Sequence, residues 1–366
     1  MRILFITPWY PTVSQPVAGV FVERDARLMS ADHEVEVAHL VDPALLGDED
    51  AGADARSDLR VHRIPMGRID PLAPLRAWRK LRPLIEGADL VHSHAFQALL
   101  PFAWRPVRRP WVHSEHWSGV AHPESFTAQH RLVFALTSRL LRRPDMVTAV
   151  STYLLDRVRD HRDGPTMIVP SVVPAVQPTP VQHSADALRL VTVANLVEGK
   201  DPMLAVDTVD ELRRRGVPAS LRWAGDGPLR ATVQERIDDR GSAVTLLGAL
   251  DRAGVAAELD AGEIFLLPTR SETLCLSAIE AISHGRPVVI GARGGQRDYI
   301  TADNGVLVTD RTPQAYADAV LGVAAEFSRH DPEGVAATVR GRFTPDRVRE
   351  LYQSAYTAAI AHAERP

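Results

Sequence analysis

The chain has 366 residues, 45% hydrophobic and 24% charged, with a formal net charge of -4. That length suits two ordinary soluble domains, and Lys+Arg 42 against Asp+Glu 46 argues against a general nucleic-acid-binding surface. The single cysteine, Cys275, excludes an intrachain disulfide and any cysteine-based zinc site, and fits a reducing cytoplasm.

The opening MRILFITPWYP is a short apolar run stopped by prolines, without the length or cleavage pattern of a signal peptide. No run approaches the roughly 18 apolar residues of a membrane span. RILFIT (2–7) reads as a buried strand, VFVERDARLMS (20–30) as a helix and EVEVAHLV (34–41) as the next strand. ADLVHSH (88–94), PWVHSEH (110–116) and DMVTAVS (145–151) follow as strands, each leading into a helical stretch. Continuous apolar strands alternating with helices imply a parallel sheet covered on both faces. PSVVPAVQPTP (170–180) holds four prolines, which sustain neither a helix nor a central strand, and reads as a linker over 173–186. The β/α rhythm then restarts with LRLVTVAN (188–195), a helix over 201–216, SLRWAGDG (220–227), AVTLLG (243–248), EIFLLP (263–268) and PVVIGA (287–292). The two runs share a rhythm but no sequence, so no internal repeat is assigned. The tail TPDRVRELYQSAYTAAIAHAE (344–364) is helical, with an apolar stripe that suits either its own domain or a return to the first one.

FLLPTRSETLCLSAIEAISHGRPVVIGARGG (265–295) places Glu272 at the mouth of a helix and Glu280 eight positions later. The unpaired N–H groups and positive dipole end of a helix start after a parallel strand make an anion site, here formed by Leu274, Cys275 and Leu276. Eight helical residues span about 12 Å, too far for two carboxylates to share a metal ion or to form the roughly 5 Å pair of a retaining hydrolase. The spacing suits a long ligand with hydroxyls at both ends and phosphates between, such as a nucleotide sugar. The plain alternative is a helix-start carboxylate and a solvated helix residue.

Other features weigh less. His92 and His94 share one strand face by their period of two, and His113 and His116 follow in the next β/α segment, but no carboxylate is patterned with them and no metal site is assigned. GDED (47–50) reads as a solvated acidic turn, and GDG (225–227) is too weak alone to mark a nucleotide site. LRAWRKLRPLIEG (75–87) and HRLVFALTSRLLRRP (130–144) mix basic and apolar residues at helical spacing. Each reads as an amphipathic helix facing the core, or as a peripheral membrane contact.

The block SETLCLSAIEAISHGRPVVIGARGG resembles the E-x7-E block of the retaining glycosyltransferases of family 4. TPWYPTVSQPVAGVFVERDARLM, DLVHSHAF, VHSEHWSG, TAVSTYLLDRV, LVTVANLVEGKDPMLAV and AGDGPLR are similar to further segments of that family, so the likeness covers nearly the whole chain. It implies the α/β GT-B fold: two Rossmann-like domains facing a central cleft, with the C-terminal helix crossing back to the N-terminal domain. The domains become an acceptor-side domain over 1–172 with the returning helix 345–366, and a donor-binding domain over 187–344.

The resemblance further implies retaining transfer of a sugar from a UDP- or GDP-sugar to a hydroxyl acceptor, with neither a cofactor nor a metal ion. Glu272 would hold donor sugar hydroxyls, Glu280 the ribose, and Lys200 the diphosphate. Backbone amides of Thr273, Leu274, Cys275 and Leu276 would add to the phosphate site, Gly19 would let backbone approach the phosphates, and His116 would contact the reacting sugar. Leu247, Gly248 and Leu250 would flank the base, and Trp9, Tyr10, His94 and Trp117 the acceptor. A front-face, oxocarbenium-like transition state needs no acid–base pair. It needs stabilised charge on the diphosphate, a positioned acceptor hydroxyl and cleft closure. Relatives with lipid-linked acceptors carry a basic, apolar surface on the first domain, so a lipid-linked acceptor and the inner membrane face enter as expectations.

The chain departs from the family at Ala194-Asn195, where Gly-Arg is usual and the arginine clamps the diphosphate beside the lysine. Arg293 is a candidate replacement. Ser171-Val172 stands for Asn-Gly, Asp298 for a glutamate, and a glycine near the first glutamate is missing from Glu272-Thr273-Leu274-Cys275. Two other functions share this architecture: a nucleotide-sugar epimerase, which would need a carboxylate set in the first domain, and a sugar-nucleotide-binding protein without transfer activity.

Overall fold

The computed structural model describes residues 1–15, 18–46, 58–67, 70–122, 127–181, 187–327 and 331–365. The GDED segment at 47–50 lies outside the described residues. The chain divides into two units, residues 1–172 with 345–366, and residues 173–344.

Unit 1 is built on β1 (Arg2–Thr7), β2 (Glu34–Val41), β3 (Arg60–Pro65), β4 (Leu90–His94), β5 (Trp111–Glu115), β6 (Met146–Ala149) and β7 (Thr166–Ile168). All pair in parallel, in the order β3-β2-β1-β4-β5-β6-β7. Its helices are α1 (Val20–Ser30), α2 (Ala73–Gly87), the single turn α3 (Ser118–Ala121), α4 (Ala128–Thr137) and α5 (Thr152–Arg159). Unit 2 carries β8 (Leu188–Val193), β9 (Ala219–Ala224), β10 (Val244–Gly248), β11 (Ile264–Leu267), β12 (Val288–Gly291) and β13 (Gly305–Val308), all parallel in the order β10-β9-β8-β11-β12-β13. Its helices are α6 (Pro202–Arg214), α7 (Arg230–Arg240), α8 (Arg252–Ala261), α9 (Leu276–Ser283), α10 (Pro313–Phe327) and α11 (Pro332–Ala337).

The last helix, α12 (Pro345–Ala363), belongs to unit 1. Its stripe of Val348, Tyr352, Ala355, Tyr356 and Ala359 joins Ile3, Phe5, Val37 and Val112 in one buried cluster. A stripe at helical spacing needs an apolar surface, and the unit 1 sheet supplies it. The proline-rich stretch is tied to unit 2. Arg286, fully buried, donates to Thr179 O at 3.1 Å and to Thr179 Oγ1 at 2.6 Å, and Thr179 Oγ1 donates to Asp260 at 2.8 Å.

Among the described residues, strands β3, β7 and β13 escape the sequence reading. Each lies at a sheet edge. An edge strand has one neighbour and does not need a long apolar run, and RVHRIP and TMI show none. Among the described residues, no helix is long and apolar enough to cross a membrane.

Each sheet has a point where the strand order reverses, β1/β4 in unit 1 and β8/β11 in unit 2. Open α/β sheets bind ligands outside the carboxyl ends of the strands at such points. Loops leaving β1, β8 and β11 there contain most of the residues that the sequence singles out.

Candidate functional site

In unit 2 two loops meet at the reversal point. The loop after β8 runs through Asn195 into a 3-10 turn at Glu198–Lys200, and the loop after β11 carries Glu272. Lys200 Nζ donates to Glu272 Oε1 at 2.5 Å, with the two side chains 27% and 9% exposed. The Thr269 hydroxyl lies 2.8 Å from the same carboxylate oxygen. Burial works against the Lys200 ammonium, but the charge of Glu272 and its hydrogen bond outweigh this, so the lysine pKa stays raised.

Backbone contacts join the loops. Arg270 N–H donates to Gly199 O at 2.8 Å. Arg311 clasps both, donating to Thr269 O at 2.7 Å and to Asp201 Oδ2 at 2.6 Å. The Glu272 main chain bridges to the segment after β12, donating to Arg293 O at 3.2 Å and accepting from Gly295 N–H at 3.0 Å. A Cβ on Gly294 would sit 2.1 Å from Glu272 O, and its φ is +131°. Only glycine lets the two backbones come so close.

Helix α9 starts behind Glu272. Its cap, Cys275, holds φ 68° and ψ 76°, the left-handed region that a side chain disfavours. The buried Tyr299 hydroxyl braces this turn, 2.9 Å from Leu274 O and 3.0 Å from Cys275 O. Burial, and secondarily the Glu272 charge, push the Cys275 thiol up to about 12, so it is not a nucleophile at neutral pH. Thr273 and Leu276 are half-buried beside it, and Glu280 is half-buried in the second turn of α9.

The neighbouring turn is built by glycines. A Cβ on Gly225 (φ +141°) would meet Ala194 O at 2.0 Å, and one on Gly227 would meet Leu196 O at 2.5 Å. The Gly-Asp-Gly turn thus packs on the segment that holds exposed Asn195. Gly225 N–H donates to Gly248 O at 2.8 Å, which brings the Leu247–Leu250 segment to the same end of the sheet. Arg293 is exposed.

In unit 1, alternation along β4 and β5 sorts the histidines. His92 and His94 share a face, with ring centroids 4.1 Å apart, against Phe5 and the α12 tyrosines. His92 bonds Tyr356 at 2.9 Å and Ser114 at 2.7 Å. His113 bonds Ser93 at 2.9 Å, on the other face, so it leaves the group. His116, beyond β5, returns to it, its Nε2 3.3 Å from His94 Nδ1 and the two rings nearly parallel. Glu115 Oε1 fixes this bend by accepting from the N–H groups of His116 at 2.9 Å and Trp117 at 2.8 Å. Burial, then the nearby His113, lowers the His116 pKa to about 3, so the ring is neutral near pH 7.

One residue here was not expected. Asp25 of α1 is fully buried and joins His94 and His116, so a carboxylate does accompany the histidines. It accepts from Tyr352 OH at 2.8 Å, and burial lifts its pKa to about 7. Its signal was present, since it lies three residues after Val22 on the buried stripe of α1.

Gly19 (φ +71°) caps α1, and a Cβ there would lie 2.3 Å from Trp9 C and O. Within unit 1 its missing side chain therefore serves contact with the Trp9–Tyr10 backbone. Tyr10 is a buried member of the core cluster, while Trp9 and Trp117 are half-buried. The two basic, apolar helices differ. On α2, Ala73, Ala77, Leu81 and Ile85 are buried, as an ordinary amphipathic helix requires. On α4, Leu132, Val133 and Leu136 are 62%, 52% and 71% exposed.

Comparison with known proteins gives matches over both units. Residues 20–175 match the family model Glycosyltransferase Family 4, and residues 187–326 match Glycosyl transferases group 1. A GDP-mannose-dependent alpha-(1-6)-phosphatidylinositol dimannoside mannosyltransferase of Mycobacterium tuberculosis is 32% identical over 152 residues, which is 41% of this chain and 39% of the relative's own length. The 2-deoxystreptamine N-acetyl-D-glucosaminyltransferase of Streptomyces fradiae is 28% identical over 323 residues, 80% of this chain and 74% of that protein. Among solved structures, sucrose-phosphate synthase from Thermosynechococcus elongatus superposes with a TM-score of 0.77 at 19% identity, over 98% of this chain and 99% of that one. Anabaena HepE in complex with UDP and glucose gives 0.73 at 18% identity, over 98% and 100%. These two likenesses are of fold. With two parallel α/β units, a family model on each and GT-B neighbours along its length, the chain belongs to the family 4 glycosyltransferases of the GT-B fold.

Proposed function

We propose that this chain is a retaining glycosyltransferase that moves a sugar from a nucleoside diphosphate sugar to a hydroxyl acceptor. The observation that carries the reading is the Lys200–Glu272 pair, supplied by two β/α loops at the reversal point of a parallel sheet, beside the start of α9.

On donor binding, the Glu272 carboxylate accepts from sugar hydroxyls and Lys200 turns to the diphosphate. A lysine about 4 Å from one phosphate charge gains about 4 kcal/mol near a protein surface. The amides at Thr273 to Leu276 and the positive end of α9 add to that field, and Arg293 stands in for the charge that Asn195 lacks. Glu280 takes the ribose hydroxyls, and Leu247, Gly248 and Leu250 flank the base. Leaving-group charge is met by these groups without a metal ion, and the departing phosphate takes the acceptor's proton on the same face, which retains configuration. Unit 1 supplies the acceptor side through half-buried Trp9 and Trp117, whereas His94, expected there from the sequence, is fully buried behind His116 and does not reach an acceptor. His116 is neutral and contacts the transferred sugar as a hydrogen-bonding group rather than as an acid.

The Mycobacterium tuberculosis relative's name is GDP-mannose-dependent, which supports a GDP-sugar as donor, with a UDP-sugar as the other class to test. A lipid-linked acceptor at the cytoplasmic membrane face is supported by the exposed apolar row of α4 beside Arg131 and Arg139. The test is release of nucleoside diphosphate from a panel of UDP-, GDP- and dTDP-sugars. Slow release from one donor, abolished by Glu272→Ala and by Lys200→Ala, supports transfer. Tight donor binding without turnover under any acceptor, or an epimerised sugar in the mixture, replaces it with the binding-protein or the epimerase reading.

A further inference from the structure

We propose that Asp25, His94 and His116 form a binding site in unit 1 for a divalent transition-metal ion of the zinc class. One ligand atom from each residue lies within 4.8 Å of the others, and no other group of three or more His, Cys, Asp or Glu side chains converges this way among the described residues. Asp25 and His94 are fully buried and His116 is half-buried, so the ion enters from the His116 side.

The donor set has the right chemistry. Two imidazoles and a carboxylate are ordinary zinc ligands, leaving a position for water or a further ligand. His94 Nδ1 and His116 Nε2 are 3.3 Å apart. Two nitrogens bound to one tetrahedral zinc at 2.0–2.1 Å are roughly 3.3–3.4 Å apart, so an ion replaces the hydrogen bond between the rings with little movement.

Two buried polar atoms of the group, Asp25 Oδ1 and His94 Nε2, have no hydrogen-bond partner among the described residues. Most buried polar atoms find one, and each exception asks for a reason. An ion satisfies Asp25 Oδ1 directly, while Tyr352 holds the other oxygen, Oδ2, at 2.8 Å and orients the carboxylate from outside the metal shell. For His94, metal on Nδ1 requires the proton on Nε2, and no partner fixes the opposite tautomer. His92 packs beside the ring, tilted by 35° with centroids 4.1 Å apart. An ion here also withdraws His116 from any sugar, so zinc inhibits transfer. That consequence rests on the role proposed for His116; the site itself does not.

The experiment is competition of the intact chain with a fluorescent zinc chelator, read without reference to activity. One zinc per chain is expected, with affinity reduced at least tenfold in Asp25→Asn and in His116→Gln, since loss of even an outer-shell partner costs 10–100-fold. His362→Asn, at a separate histidine on α12, leaves the affinity unchanged. X-ray absorption of the wild-type zinc complex is expected to show two imidazole nitrogens and a carboxylate oxygen, and decides the matter if a variant does not fold. No stoichiometric zinc, affinity unmoved by His116→Gln, or a zinc shell without two imidazoles overturns the proposal.

Discussion

Lys200→Met leaves the Glu272 carboxylate, 9% exposed, facing the Thr269 hydroxyl but no cation from Lys200. Breaking one side of a buried ion pair costs about 3–5 kcal/mol. Lys200 keeps 27% exposure, which places the loss nearer about 2–3 kcal/mol. Unit 2 spans residues 173–344, and a domain of that size shifts by about 2–4 °C per kcal/mol, so its melting transition falls by about 4–12 °C. Glu272→Gln strands the partly buried ammonium instead and lowers the transition by a smaller step. The double variant removes both charges, and its loss is smaller than the sum by about 2 kcal/mol. Calorimetry on the intact chain, comparing the unit 2 transition in all four proteins, reads this coupling. Additive losses, within about 0.5 kcal/mol, would refute the pair and the idea that free enzyme stores Lys200 on Glu272 until a diphosphate arrives.

Four further outcomes follow from the same structure. Gly294→Ala forces a Cβ to 2.1 Å from Glu272 O at φ +131° and is expected to cost about 3 kcal/mol or more and to weaken donor binding; a wild-type melting curve would contradict it. Glu211, held down to about 2 by hydrogen bonds from Arg214 and Arg215, stabilises α6 above the ordinary carboxylate range, and that contribution disappears as pH falls through about 2. The thermal deficit of Glu211→Gln is therefore present at pH 7 and shrinks below pH 4.5, and a deficit independent of pH would exclude this cause. Cys275, with its thiol at about 12, should resist iodoacetamide at pH 8 in the native chain and react on unfolding, as read by mass spectrometry. The pair Leu132→Asp and Leu136→Asp on α4 is expected to weaken sedimentation with anionic phospholipid vesicles more than tenfold, and equal sedimentation would remove α4 from the proposed membrane contact.

The sequence exposes what depends on short-range pattern. Central strands such as β8 and β11 appear as apolar runs because both faces are covered, whereas β3, β7 and β13 at the edges do not. The spacing of Glu272 and Glu280 already speaks for a long ligand, but the Lys200 contact joins residues 72 positions apart and is visible only once β8 lies beside β11. Asp25 was hidden for a different reason. A charged residue in VFVERDARLMS reads as part of a polar face until its place on the Val22–Ala26–Met29 stripe is considered. The amphipathic patterns of α2 and α4 look alike, yet one faces the core and the other solvent, because periodicity shows that a face is apolar and not what covers it.

The central claim, that unit 2 holds a nucleoside diphosphate sugar on Lys200 and Glu272, is tested most directly by calorimetric titration of the intact chain with UDP- and GDP-sugars. Saturable one-to-one binding of at least one donor is expected, weakened at least tenfold by Lys200→Ala and by Glu272→Ala. Binding of neither class, or binding indifferent to both substitutions, would contradict the account.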